Sequence, residues 1–135
     1  MITRSNPDVG YMSDEAFRTY GFTQSIRAGN MLYLSGVAPF KGNLDDVEIV
    51  GVGDIRTQVA QVLEIIQRCL AAEGATFKNW VAQTVYTTNM TELQKTADIF
   101  REAFGDYTPT STWVEIKGLF VPEQLVEING TAIWD

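Results

Sequence analysis

Apolar and polar positions alternate along this chain with two distinct periods, and the switches between them mark the elements. Residues 24–28 and 31–35 alternate as strands do, and Gly29-Asn30 between them suits a tight hairpin turn. Gly42-Asn43 reads as a second turn, leading to a short strand at 47–50. From residue 54 the period becomes helical. Ile55, Val59, Val62, Leu63, Ile66, Cys69 and Leu70 recur on one face behind Asp54, a good N-cap, and Gly74 can close the helix. Residues 80–88 return to alternation and are rich in β-formers. Thr91-Glu-Leu-Gln94 reads as a capping box, with Leu93, Ala97, Phe100 and Phe104 as the stripe of a second helix closed by Gly105. Segments 109–116 (PTSTWVEI) and 125–133 (LVEINGTAI) alternate again as half-buried strands. Each carries a carboxylate inside an apolar run, Glu115 and Glu127, which suggests a site as readily as a structural bridge. Residues 1–22 show no period and are expected to run over the surface.

Strands, helix, strand, helix and two strands predict an α+β fold, with two helices packed on one face of a mixed sheet. The uncovered face is expected to be apolar, which predicts a homo-oligomer. At 135 residues, 45% of them hydrophobic, the chain is one ordered domain spanning 1–135. No apolar run approaches the roughly 18 residues that span a bilayer. The first residues lack an apolar core, so no secretory signal is expected. A single cysteine, Cys69, rules out an internal disulfide framework and fits a cytoplasmic protein. Its place on the apolar helical face makes it core rather than nucleophile.

The chain contains no histidine. That removes Ser-His and Cys-His nucleophile pairs and nearly every catalytic zinc pattern. Acid–base chemistry is left to Asp, Glu, Tyr, Lys or bound water. A net charge of −7 without a Lys/Arg cluster argues against nucleic acid and anionic membranes as partners.

Several words of the sequence are more specific. Residues 29–39 (GNMLYLSGVAP), Asp54-Ile-Arg-Thr-Gln58 with Leu63 after it, 87–93 (TTNMTEL), 109–116 and 125–132 stand in order at suitable spacing. Together they resemble the Rid, or YjgF-like, family of reactive intermediate deaminases over about residues 20–134. The resemblance implies a chorismate-mutase-like α+β fold assembled as a homotrimer. Its sheets would form a central barrel, with small-molecule clefts between subunits. It also implies hydrolysis of enamines or imines released by pyridoxal-phosphate enzymes, giving an oxo acid and ammonia without a metal or bound cofactor.

The resemblance also implies site residues. Glu127 stands where those deaminases hold or activate the attacking water; otherwise it is a partly buried strand carboxylate bonded locally. Glu115 also matches a family glutamate, for which a structural role is expected. Ser111 is the main departure, because deaminating members have an arginine there to grip the substrate carboxylate. Arg27, then Lys117, are the candidate replacement cations. Phe22 replaces a tyrosine, Trp113 replaces a small residue and narrows the cavity, Thr91 stands for an asparagine, and Gly36 can bring backbone close to a ligand. Two functions follow. One is a deaminase acting on a substrate other than small 2-imino acids, such as a conjugated 2-aminomuconate-like acid. The other is a non-catalytic metabolite-binding or regulatory trimer. Ribonuclease activity is not carried over to so acidic a chain.

Overall fold

The computed structural model describes residues 1–42 and 46–135. In chain order the elements are β1 (Ile2–Ser5), α1 (Asp14–Tyr20), β2 (Ser25–Ala28), β3 (Met31–Val37), β4 (Phe40–Lys41), β5 (Glu48–Ile49), α2 (Ile55–Ala72), β6 (Trp80–Thr87), α3 (Met90–Gln94), α4 (Ala97–Phe104), β7 (Thr110–Glu115) and β8 (Val126–Ile133). Gly29 turns the β2–β3 hairpin with φ of 61°, a left-handed conformation that glycine adopts without strain. The hairpin opens a six-stranded sheet of order β1-β2-β3-β8-β6-β7. All pairings are antiparallel except β6 with β7. β4 and β5 form a separate two-stranded ladder, so the strand expected at 47–50 is two residues long. The expected turn at Gly42-Asn43 falls partly on residues 43–45, outside those described.

The α2 helix follows its sequence signals. The Asp54 side chain accepts from Thr57 N–H at 3.2 Å, and Ile55, Val59, Val62, Leu63, Ile66, Cys69 and Leu70 are buried. They pack against Leu32, Leu34, Val37, Val126, Ile128 and Ala132 of the two central strands in one core. Trp80 completes this layer because position 130 is glycine: a Cβ there would stand 2.5 Å from the tryptophan ring. The second predicted helix is two helices; with α1 the described residues form four α-helices rather than two, and a 3-10 turn at Phe77–Asn79. The break has a local cause. Buried Thr96 turns its hydroxyl back to donate to Leu93 C=O at 2.7 Å, ending α3 before α4 starts.

Four further expectations are corrected. Residues 1–22 do not simply cover the surface. β1 adds an edge strand, and Tyr11, Ala16 and Phe17 enter the core. A seven-residue helix that buries two side chains, and an exposed edge strand, are too short to display a period. The capping box at Thr91 is absent. Asn89 is the N-cap, accepting from Glu92 N–H at 3.2 Å, and Thr91 lies inside α3. β7 is an edge strand exposed along most of its length rather than half-buried. The sheet face turned away from the helices is mixed: Tyr33 and Val114 share it with Thr84, Thr112, Asn129 and Thr131.

Gln58 ties α2 to the loop that precedes β8. Its amide donates to Gly51 C=O at 3.2 Å and Glu123 C=O at 2.9 Å, and its oxygen accepts from Leu125 N–H at 2.8 Å. Gln58→Leu leaves three backbone groups without these partners. We expect it to lower unfolding free energy by about 2–3 kcal/mol, measured by urea denaturation.

Candidate functional site

Glu127 projects from β8 toward β3 at the point where their register shifts between Leu34 and Val37. The strand opposite supplies Gly36, and the pairing depends on that residue. A Cβ at position 36 would stand 2.8 Å from Glu127 Cδ and closer still to Oε2. Gln124, fully buried, donates to Glu127 Oε1 at 3.1 Å and to Val126 C=O at 3.2 Å, and accepts from Phe120 N–H at 3.2 Å. One carboxylate oxygen is thus held by an amide. Among the described residues Glu127 has no salt-bridge partner.

The carboxylate lines a cavity of about 450 Å³ together with Ser35, Gly36 and an aromatic set: Tyr11, Tyr20, Phe22, Phe40 and Phe120. Phe120 stacks edge-on with Tyr20, ring centroids 5.1 Å apart, and Phe22 is edge-on to Phe17 at 5.0 Å. Tyr11 OH accepts from Ala38 N–H at 2.9 Å, which leaves its own proton for a second partner. Burial, with the Glu127 charge adding to it, pushes the Tyr11 phenol well above its ordinary range, so it stays a neutral donor. No lysine or arginine lines this cavity among the described residues.

Ser111 and Trp113 stand elsewhere in the protomer. They line a smaller cavity of about 170 Å³ with Gln83, Phe100, Arg101, Phe104, Thr108 and Pro109. Trp113 packs on Phe100 at 5.0 Å between ring centroids and donates to Ser111 Oγ at 3.0 Å. In the sheet order β6 lies between β7, which carries this group, and β8, which carries Glu127. A single protomer therefore brings Glu127, Gly36 and Phe22 together and keeps Ser111 and Trp113 apart from them.

The remaining candidates take local roles. Arg27 lies over the Trp134 ring at 4.0 Å, approaches Glu73 at 4.0 Å and donates to Gly29 C=O. It lines neither cavity, and nor do Lys117 and the exposed Thr91. Glu115 accepts from Met90 N–H at 2.8 Å at the start of α3, a structural role. Cys69 is fully buried, and desolvation pushes its thiol up to about 12. Sequence reasoning missed Tyr11, Tyr20, Phe120, Gln124 and Arg101. The first two stood in the segment without a period, Phe120 and Gln124 in a loop, and Arg101 at a helix position that only the packing of α4 brings to the wall of the Ser111 cavity.

This fold is that of a known class. The family model described as endoribonuclease L-PSP matches residues 14–134, and the chain belongs to that family, which includes the RutC, YjgF and Rid proteins. A RutC family protein of Pyrococcus horikoshii is 32% identical over 111 residues, covering 82% of this chain and 85% of that one. The 3-aminoacrylate deaminase RutC of Acinetobacter baylyi is 28% identical, covering 82% and 85%. The crystal structure of the Rid-family protein YyfA from Yersinia pestis superposes with a TM-score of 0.84 at 26% identity, over 99% of this chain and 100% of that one.

Gly36→Ala is expected to displace the Glu127 carboxylate while leaving the fold intact, because the collision lies at the cavity wall. A crystal structure of the variant would show the new rotamer. For Cys69, Ellman's reagent at pH 8 should leave the native chain unlabelled and label it once urea unfolds it.

Proposed function

We propose that this protein hydrolyses the C–N bond of an enamine or imine, releasing ammonia and a carbonyl compound. In this reading it works as a homotrimer in which the Glu127 cavity of one protomer faces the Ser111 cavity of the next. The observation that carries the reading is Glu127 itself: a strand carboxylate with one oxygen held by Gln124, lining an open cavity with no counter-ion among the described residues. Membership of a family that includes a 3-aminoacrylate deaminase supports it.

The chemistry asks little of the protein. An iminium carbon is already electrophilic, so a carboxylate that orients one water and accepts its proton supplies the nucleophile. The tetrahedral adduct then loses its nitrogen once that proton is returned to the amine. The sum is iminium plus water giving carbonyl plus ammonium, and the reaction draws on no metal or bound cofactor. Tyr11 is placed to donate to the developing oxygen or the departing amine, a hydroxyl that Phe22 lacks. A substrate other than small 2-imino acids fits the serine at position 111. One reduced, buried cysteine fits a cytoplasmic setting, and no helix among the described residues is long and apolar enough to cross a membrane.

Phe22 and Ser111 also favour a second reading, a regulatory trimer that binds a metabolite and turns nothing over. The two are separated by measuring ammonia release from 2-iminopropionate, 3-aminoacrylate and 2-aminomuconate. We expect turnover of at least one, with Glu127→Gln lowering kcat/KM about a hundredfold or more and Tyr11→Phe lowering it less. Equal rates for wild type and Glu127→Gln on every accepted substrate would defeat the deaminase reading. A metabolite that raises the melting temperature without turnover would favour the other. Light scattering should give three times the 15.0 kDa chain mass.

A further inference from the structure

The Ser111 hydroxyl is oriented from the core outward. Its oxygen accepts two N–H bonds, from Gln83 Nε2 and from Trp113 Nε1, each at 3.0 Å. Gln83 is fixed in turn, because Trp80 Nε1 donates to its Oε1 at 3.0 Å and so turns the amide NH2 toward Ser111. Trp80 and Gln83 are 1% and 6% exposed, so this relay is anchored in the interior. A hydroxyl has two acceptor lone pairs and one proton. With both acceptor positions filled, the Ser111 proton is free to donate, and among the described residues nothing accepts it.

A cation stands on the same cavity. Arg101, in the last turn of α4, lines it with Ser111 and Trp113. The carboxylate one helical turn back, Asp98, is hydrogen-bonded to Arg56 at 3.0 and 2.7 Å and feels Arg101 only as a more distant charge. Among the described residues no acid forms an ion pair with Arg101, and no acid lines the cavity. A guanidinium fork, a hydroxyl with only its proton to offer, and an aromatic wall are complementary to a small planar anion rather than to an amine.

We infer that Arg101 and Ser111, beside Trp113, form a carboxylate-binding subsite in which Arg101 supplies the charge that Ser111 does not. As the clamp on a substrate it rests on the deaminase reading, and it makes that substrate an enamine or imine bearing a carboxylate. It also gives the serine a definite function, as a donor held by the core and paired with a cation from a different element.

Calorimetric titration of the intact protein with benzoate, and with benzamide as its uncharged counterpart, tests the inference. We expect wild type to bind benzoate better than benzamide. Arg101→Gln should weaken benzoate about tenfold or more, Arg101→Lys should restore part of the loss, and Ser111→Ala should weaken it several-fold. Benzamide binding should ignore Arg101→Gln, which a merely structural role could not produce; circular dichroism checks that each variant folds. Unchanged benzoate affinity in Arg101→Gln, benzamide bound as well as benzoate, or no benzoate binding at millimolar concentration overturns the subsite. Glu127→Gln separates the two readings. Benzoate binding that needs Arg101, with ammonia release indifferent to Glu127, leaves the subsite and removes the deaminase. Ammonia release that needs Glu127, with benzoate indifferent to Arg101, does the reverse.

Discussion

A carboxylate in the middle of a sheet is normally a liability. It must be solvated, paired or bonded, and each of these competes with strand packing. Here the conflict is resolved by an empty position on the neighbouring strand. Gly36 leaves room for the Glu127 head group where any side chain would collide with it, and the register shift between Leu34 and Val37 opens the strands at that point. Gln124 then secures one oxygen without neutralising the charge. The surrounding construction follows from keeping that group in place. Gln58 pins the loop that carries Gln124, and α2 supplies Gln58.

The two cavities are built by different means. The larger is walled by aromatic side chains, most of them from α1, the segment before it and the loop before β8, placed against a rigid sheet. The smaller is polar at its floor. Its hydroxyl is reached through a tryptophan–glutamine–serine relay that begins in the core. On the reading proposed above, one cavity holds the reacting centre and the other sorts ligands by charge.

The face of α2, the β2–β3 hairpin and β8 were legible because burial on one side of an element repeats along it; β7 was legible as a strand but not in its burial, since it forms the exposed sheet edge. Glu127 was legible as a carboxylate inside an apolar run and Gly36 as a word of a family pattern; their juxtaposition depends on a register shift that no local signal announces. The start of α3 was misplaced because Thr91 offers a capping box as good on paper as the Asn89 cap that forms, and the split at Thr96 was hidden inside a continuous apolar stripe. Residues 1–22 were misread as cover because one strand at an edge and a two-turn helix bury too few side chains to leave a trace. Arg101 could not have been singled out at all. Its neighbours in space, Ser111 and Trp113, are set by the return of the chain from α4 into β7.

The N-terminal stretch has a separate consequence. Tyr11, Ala16 and Tyr20 form part of the chamber roof, yet none of them belongs to the sheet that holds the acid. Changes there can reshape what is admitted without disturbing strand pairing. On the reading proposed above, ligand preference can therefore drift by substitution in about ten residues near the chain start, while Glu127 and its scaffold remain fixed.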